Sequence, residues 1–272
     1  MNELIKLEHV TAGYDNGIVL RDVSITISEQ DFIGVIGPNG GGKTTLIKLI
    51  LGLIKPVSGT IQRFDKQEGS FIGYLPQQSQ IDRKFPITVQ DIVLSGLMSA
   101  GKGLSRYSSK DKKQAYDLLE QMGISHLAKR TAGELSGGQL QRVFICRALI
   151  SSPKLLILDE PNTFVDNRFE HEMYELLQQF NKKMAIMIIS HDVGTISYFV
   201  KTIACVNTYL HYHPSNIITE EQLAGYNCPL QIITHGDVPH TVLQKHDHSR
   251  DHDHEHEHNH GNAITHSDYK HE

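Results

Sequence analysis

A glycine-rich loop between an apolar strand and an apolar helix constrains the fold of this chain more than any other feature. The stretch "DFIGVIGPNGGGKTTLIKLILGL" runs from Asp31 to Leu53. Within it, residues 37–44 fit the phosphate-loop pattern G-x-x-x-x-G-K-[ST], in the strand-to-helix context that the pattern requires. Glycines let backbone N–H groups converge on phosphate oxygens, and the following helix adds the positive end of its dipole. The stretch therefore predicts a phosphate-binding site in an α/β fold.

The residue types of this loop predict how it binds a nucleoside triphosphate. We expect Lys43 to reach the β- and γ-phosphates and the hydroxyl of Thr44 to ligate Mg²⁺. The loop thus predicts a nucleoside triphosphate and Mg²⁺ as the bound groups. The residues expected to contact the nucleotide are Gly37, Pro38, Asn39, Gly40, Gly41, Gly42, Lys43, Thr44 and Thr45.

A second motif, "LLILDE" from Leu155 to Glu160, supplies the acidic residues expected for triphosphate hydrolysis. Asp159 ends an apolar run typical of a buried parallel strand, and its carboxylate is expected to hold Mg²⁺ through water. The adjacent Glu160 is expected to orient and deprotonate an attacking water. An apolar run that ends in Asp-Glu is weak evidence alone, but downstream of a phosphate loop it predicts a triphosphatase.

Strand-like and helix-like segments alternate along most of the chain. Residues 4–10 and 19–27 favour strands around the turn "TAGYDNG", and "MAIMIIS" and "TIACV" favour buried strands near the end. Such alternation indicates an α/β fold with a mainly parallel sheet. Between about residues 88 and 149 the pattern turns helical, and Gly123 is a plausible stop signal there. We expect this insert to form a helical subdomain.

The stretch "LSGGQLQR" from Leu135 to Arg142 decides the family. Together with the two motifs above, it makes the sequence resemble the ATP-binding subunits of ABC transporters, over roughly residues 3–205. The resemblance implies a P-loop NTPase core with an antiparallel β subdomain and a helical signature subdomain. A GTPase would need a guanine-reading Asn-Lys-x-Asp, and "NKKM" at residues 181–184 lacks the Asp. ABC ATPases of DNA repair or translation tend to carry coiled coils or two nucleotide domains, which favours a transport subunit here.

The resemblance also implies roles for four residues outside the loop. Tyr14 is the aromatic residue that stacks on adenine. Gln77 links the Mg²⁺ site to a transmembrane partner and serves, with Thr44 and Asp159, as a Mg²⁺ ligand. His191 contacts the γ-phosphate, and Asp166 belongs to the loop that follows the catalytic strand. The catalytic set implied in this way is Lys43, Gln77, Glu160 and His191.

The signature residues are expected to act on a second subunit. Ser136, Gly137, Gly138 and Gln139 open a helix, where N–H groups can meet phosphate oxygens. In the family that phosphate belongs to ATP on the other subunit, which implies a homodimer that closes on ATP and works with integral-membrane permease subunits. The chain departs from the family at Asn162, where Thr is usual after the Pro, and in "TFVD" at residues 163–166.

Charge and cysteine content exclude several other classes. The formal net charge is −5, of which residues 246–260 carry −4 and the last twelve residues −1, so the body is neutral and predicts no nucleic-acid partner. Three isolated cysteines form no CxxC pair, which argues against a disulfide framework or a cysteine zinc site. No signal peptide or apolar run of about 20 residues is present. We therefore expect a cytoplasmic protein, held on the inner face of the membrane by its permease.

The C-terminal region carries the clue to the substrate. Residues 206–245 form an expected appendage that resembles the C-terminal part of zinc and manganese importer subunits. Residues 246–272 form a tail that builds no core and is expected to be disordered. In the tail, imidazole next to carboxylate suits Zn²⁺ or Ni²⁺. For the four histidines of the appendage, surface residues without a ligand role explain the pattern as well as metal ligation does. The candidate zinc ligands are His211, His213, His235, His240, His246, His248, His252, His254, His256, His258 and His260.

These observations predict the ATPase subunit of a metal-ion ABC importer, with zinc first and manganese second. An extracytoplasmic metal-binding protein would then act with the permease. Two alternatives stay open from the sequence. One is an importer ATPase for another substrate with an incidental tail, and the other is a cytosolic metal buffer or sensor whose nucleotide site has a different use.

Overall fold

The structure is a computed structural model, and it describes most of the chain up to residue 216 and one hairpin beyond. The described residues are 2–64, 71–77, 85–98, 107–161, 167–191, 193–216, 230–234 and 239–243. In chain order the elements are β1 (Glu3–Tyr14), β2 (Gly17–Ser28), β3 (Phe32–Ile36), α1 (Lys43–Leu51), β4 (Ser58–Arg63), β5 (Ile72–Leu75), α2 (Val89–Ser95), α3 (Ser109–Gln121), α4 (Gly137–Leu149), β6 (Leu155–Asp159), α5 (Asn167–Asn181), β7 (Ala185–Ile189), α6 (Val193–Phe199), β8 (Thr202–Asn207), β9 (Tyr209–His213), β10 (Leu230–Thr234) and β11 (Pro239–Leu243).

The centre of the fold is a six-stranded sheet in the order β5-β6-β7-β3-β8-β9. Strands β5, β6, β7, β3 and β8 are parallel, and β9 pairs antiparallel with β8. Side chains alternate across the sheet, so Ile33 and Val35 of β3 enter one core while Phe32 and Ile36 enter the other. Both faces are therefore covered, which explains why strands such as β6 and β7 are continuous apolar runs. This confirms the predicted α/β class.

The two faces of the sheet are covered by different layers. Helix α1 and the antiparallel sheet β2-β1-β4 pack on one side, and the helical insert with α5 and α6 packs on the other. Strands β1 and β2 are longer than the predicted 4–10 and 19–27, because most of "TAGYDNG" is paired and only Asp15 and Asn16 form the turn. Two residues suffice for a tight antiparallel hairpin.

In its described residues, 88–98 and 107–149, the helical insert forms three α-helices, each with a side-chain cap at its start. Thr88 accepts a hydrogen bond from Asp91 N (3.2 Å) at α2, and Ser108 and Asp111 form a reciprocal capping box at α3. Gly123 follows α3 with a φ of 71°, a conformation that favours glycine and ends the helix as predicted. Among the described residues, no helix is long and apolar enough to cross a bilayer.

The hairpin of β8 and β9 supports the phosphate loop. Thr208, at its turn, donates its backbone N–H to the carbonyl of Gly41 (3.0 Å) and accepts one from the N–H of Arg21 in β2 (2.7 Å). Leu210 of β9 packs against the core beneath the antiparallel sheet. The sequence predicts a domain boundary at residue 205. The central sheet continues past this residue, because β9 is its last strand.

Two of the three cysteines are described, and both lie in the core. Cys146 and Cys205 are fully buried. Burial raises the pKa of the Cys146 thiol to about 12, so this group stays protonated at neutral pH. Both behave as small apolar side chains.

Candidate active site

The phosphate loop lies between the buried strand β3 and helix α1. Gly40 and Gly42 have φ values of 78° and 106°, which non-glycine residues rarely adopt. The loop is also tightly enclosed, because a Cβ on Gly41 would lie 2.7 Å from the carbonyl oxygen of Val206 in β8. The φ values and the lack of space for a Cβ explain the run of glycines before the helix. Because the loop leads directly into α1, the N-terminal end of the helix lies at the loop.

Lys43 is buried at the first position of α1, with 7% of its surface exposed. Its Nζ donates hydrogen bonds to the carbonyl oxygens of Gly37 (2.7 Å) and Pro38 (2.9 Å). The ammonium group is therefore held against the loop by two backbone acceptors, and it brings a positive charge to the place where the sequence predicts phosphates.

A cavity of about 330 Å³ opens beside the loop and joins the two sequence motifs. The residues that line it are Val19, Asn39, Gly40, Gly42, Lys43, Thr44, Thr45, Gln77, Asp159 and Glu160. The structure thus places the loop, the Gln after β5 and the acidic pair after β6 around one space. These segments are far apart in the sequence and meet because β3, β6 and β5 end at the same edge of the sheet.

Glu160 is held by the two other polar residues of the predicted catalytic set. Its Oε2 accepts a hydrogen bond from Gln77 Nε2, and its Oε1 pairs with His191 Nε2. The backbone of Glu160 is strained, with a φ of 50°, and its N–H donates to Ile189 O (3.0 Å). Strain at a non-glycine residue is common at functional sites, so this conformation fits a carboxylate fixed for a catalytic task.

Asp159 is a buried carboxylate, 6% exposed, at the end of β6. Burial raises its pKa and the neighbouring carboxylate of Glu160 adds to the rise, whereas a hydrogen bond from Tyr74 and the charge of Lys43 act in the opposite direction. A buried carboxylate of this kind is favoured in its ionised form when a cation binds beside it.

The donors around the cavity fit Mg²⁺. The hydroxyl of Thr44, the amide of Gln77 and the carboxylate of Asp159 are hard oxygen ligands on one cavity wall. In the described part of the chain, no group of three or more His, Cys, Asp or Glu side chains is placed to hold a metal ion. Mg²⁺ is usually bound through one or two carboxylates plus substrate phosphates, which is the donor set available here.

Tyr14 lies at the end of β1, outside the residues that line the cavity. Its side chain is 46% exposed, and the Nζ of Lys48 on α1 is 5.2 Å from the ring centroid. Burial raises the pKa of its hydroxyl, but interactions with Thr45 and Lys48 of the same helix outweigh burial and lower the pKa. The ring is thus exposed next to the phosphate loop, where an adenine-stacking residue is expected.

The signature residues lie on a separate element. Ser136 caps α4, accepting from Gln139 N (3.3 Å) and donating its own N–H to Gln139 Oε1 (3.1 Å), while Gly137 and Gly138 form the first turn. None of these four is among the described residues that line the cavity. The helix start is therefore well formed, and a single subunit does not bring it to its own phosphate loop.

Two candidate zinc ligands are described with their side chains. His211 and His213 lie on one face of the edge strand β9, which confirms that this segment is extended. Burial lowers the pKa of His213, and His211 lowers it further. His240 lies on β11, while Asp166, His235 and the tail histidines from His246 to His260 lie outside the described residues.

Sequence reasoning missed two residues at this site. Val19 of β2 lines the cavity, and Tyr74 of β5 donates its hydroxyl to Asp159 Oδ2 (3.4 Å). Val19 lies in no motif. Tyr74 opens the stretch "YLPQQ" that contains Gln77, but the resemblance assigns it no role. The one available signal for Tyr74 is its position on a strand that ends next to Gln77.

Comparisons with known proteins identify the relatives of this chain. A family model described as "ABC transporter" matches residues 20–163. A "probable metal transport system ATP-binding protein" of Thermotoga maritima is 36% identical over 224 residues, covering 81% of this chain and 89% of that protein. The "zinc uptake system ATP-binding protein ZurA" of Listeria innocua is 38% identical over 216 residues, covering 76% and 84%. The "zinc import ATP-binding protein ZnuC" of Hydrogenovibrio crunogenus is 33% identical over 209 residues, covering 76% and 80%.

Solved structures of ABC transporter proteins are also similar to this chain. A metal-chelate type ABC transporter in an inward-facing conformation superposes with a TM-score of 0.75 at 28% identity, covering 89% of this chain and 96% of that one. The ADP conformation of MJ1267, an ABC transporter cassette, gives a TM-score of 0.68 at 27% identity, covering 78% and 90%.

The parallel sheet, the phosphate loop and the acidic pair at the strand ends define a phosphate-loop nucleoside triphosphatase. Within that class, the chain belongs to the ABC transporter family as an ATP-binding subunit. It is therefore an ATPase of a transport system. ATP-binding subunits of this family work as dimers with membrane permease subunits.

Proposed function

We propose that this chain hydrolyses ATP to drive the import of a divalent metal ion, with zinc as the substrate. The observation that carries the ATPase role is the cavity in which Lys43, Thr44, Asp159 and Glu160 meet. Support for zinc comes from relatives named for zinc uptake and zinc import, and from the histidine-rich C-terminal sequence. Manganese is the second candidate.

The proposed mechanism follows from the residues of the cavity. The N–H groups at the start of α1 and the ammonium of Lys43 bind the phosphates of ATP and neutralise their charge. Thr44, Gln77 and Asp159 would hold Mg²⁺, which when bound offsets charge on the phosphate oxygens. Glu160 accepts a proton from the attacking water, and its contacts with Gln77 and His191 keep its carboxylate oriented. His191 also contacts the γ-phosphate.

A second copy of the chain completes each site in this proposal. The capped start of α4, with Ser136, Gly137 and Gly138, binds the γ-phosphate of ATP held by the partner subunit. Gln139 and Asp166 belong to the same contact. Closure of the homodimer then depends on the γ-phosphate, and hydrolysis releases it, as in other nucleotide switches.

The transport partners follow from the same proposal. The homodimer binds integral-membrane permease subunits on the cytoplasmic face of the membrane and alternates their access. An extracytoplasmic metal-binding protein delivers the ion and does not contact this subunit. Gln77, which lines the cavity, links the Mg²⁺ site to the permease.

Metal uptake tests the transport role directly. In cells that lack this subunit, we expect high-affinity zinc uptake to fall to background, because no ATPase closes on the permease. Re-expression of the natural chain restores it, and the Glu160→Gln variant does not. Uptake of manganese, iron and nickel is measured in parallel. Loss of manganese uptake with normal zinc uptake would overturn the zinc assignment, and normal uptake of every metal would overturn the metal-import role.

We also propose zinc ligands in the C-terminal region. His211 and His213 share one face of β9, and His240 lies on β11. The stretch from His246 to His260 contains seven histidines and five acidic residues. Borderline nitrogen and hard oxygen donors at this density suit zinc. Because ligating imidazoles must be neutral, protons compete with the metal as the pH falls.

Zinc titration of the full chain against a chain lacking residues 246–272 tests the tail. We expect the full chain to bind roughly one or two additional zinc ions, because a zinc site takes about four ligands. A matched variant with the seven histidines of residues 246–260 changed to asparagine should behave like the truncated chain. Equal zinc stoichiometry for all three proteins would show that the tail holds no zinc, and the ATPase assignment would stand.

A further inference from the structure

Tyr74 lies next to the catalytic strand and three residues before Gln77, and it is not among the residues with a predicted role. It belongs to β5, which pairs in parallel with β6 so that Tyr74 is opposite Ile157. Its ring packs, partly buried, against the core beneath the antiparallel sheet. Its hydroxyl reaches Asp159 Oδ2 at 3.4 Å. The side chain therefore spans from the core to the carboxylate expected to hold Mg²⁺.

The hydroxyl of Tyr74 acts on Asp159 as a neutral donor. A tyrosine phenol is protonated at neutral pH, because its ordinary pKa is about 10. A phenol that donates to one carboxylate oxygen restricts rotation of the carboxyl group and leaves the second oxygen for a cation or its water. Outer-shell hydrogen bonds of this kind commonly fix the orientation of metal ligands.

We propose that Tyr74 is a positioning residue for the Mg²⁺ site, in which its hydroxyl orients the carboxylate of Asp159. The proposal rests on the proposed ATPase function. At 3.4 Å the hydrogen bond is longer than the roughly 2.5–3.0 Å typical of O–H···O bonds, so it is a weak contact. Its loss should weaken cation binding and not abolish it.

The Tyr74→Phe variant separates this role from packing, because it removes the hydroxyl and keeps the ring. The full-length protein is titrated with Mn²⁺, observed by its paramagnetic resonance, in the presence of a non-hydrolysable ATP analogue. We expect the Mn²⁺ concentration for half-saturation to rise about twofold, which is the lower end of the effect of losing one hydrogen bond. Affinity for the analogue in the presence of EDTA should match the natural protein. The Tyr116→Phe variant, altered at an exposed tyrosine of α3, is the matched control.

Each other outcome overturns the proposal. Unchanged Mn²⁺ affinity would show that the hydroxyl does not position the carboxylate. A loss of analogue affinity that is equal with and without cation, together with a lower unfolding temperature, would assign Tyr74 a purely structural role. If the natural protein itself binds no cation with the analogue, the proposed Mg²⁺ site fails as well, which distinguishes that failure from one confined to Tyr74.

Discussion

Replacing Glu160 by glutamine should reduce steady-state ATP hydrolysis by roughly 10²–10⁴-fold, the contribution typical of a general base. Glutamine retains the size of the side chain and can still hydrogen-bond to Gln77 and His191, but it cannot accept the proton of the attacking water. ATP affinity should therefore stay near that of the natural chain, because Lys43 and the phosphate loop are unchanged. Hydrolysis is measured by phosphate release and binding by equilibrium titration.

The same variant should accumulate as an ATP-bound dimer, since the γ-phosphate that closes the interface is no longer removed. Size-exclusion chromatography with light scattering detects this species. Glu120→Gln, altered at an exposed position of α3, serves as the control and should hydrolyse ATP normally. Normal turnover by the Glu160→Gln variant would refute the role assigned to Glu160.

Replacing Lys43 by alanine should lower ATP affinity at least about 100-fold, because charge-assisted hydrogen bonds contribute roughly 1.5–3 kcal/mol each. The structure adds a second reason. Lys43 also donates to the carbonyls of Gly37 and Pro38, so the alanine variant loses the contacts that hold its own loop. Equilibrium titration with a fluorescent ATP analogue measures the affinity, and thermal unfolding reports any loss of stability.

A conservative change distinguishes the two roles of this lysine. Lys43→Arg retains the charge, so a lower unfolding temperature in that variant would reflect altered geometry around Gly37 and Pro38. Lys113→Ala, at an exposed site of α3, should bind ATP like the natural chain. If Lys43→Ala retains full ATP affinity, the cavity beside the loop is not the phosphate site.

The parts of the site that could be predicted from the sequence are those encoded by neighbouring residues. The phosphate loop needs a buried strand, glycines and a helix in succession, and all three are local signals. Asp159 and Glu160 follow a continuous apolar run that predicts a buried parallel strand. The capped helices of the insert, such as α3 with Ser108 and Asp111, are likewise determined by residues three positions apart.

Contacts between distant strands could not be predicted in this way. The approach of Tyr74 to Asp159 depends on β5 pairing with β6, and nothing in either segment encodes that neighbour. The same holds for Thr208, whose backbone bonds to Gly41 and Arg21 arise only when β8 and β9 form a hairpin beside the loop. Strand order is set by the packing of the whole chain, so periodicity indicates the strands without indicating their neighbours.

The hairpin of β8 and β9 also determines how short a working fragment of this protein can be. Thr208 hydrogen-bonds to the phosphate loop and Leu210 packs against the core. A fragment that stops after His191, the last residue of the recognised family motifs, would lack these contacts. The smallest fragment that keeps the site intact therefore ends no earlier than His213. Proteolytic trimming beyond that point should spare ATP binding, which makes the catalytic body and the histidine-rich end separable for biochemical work.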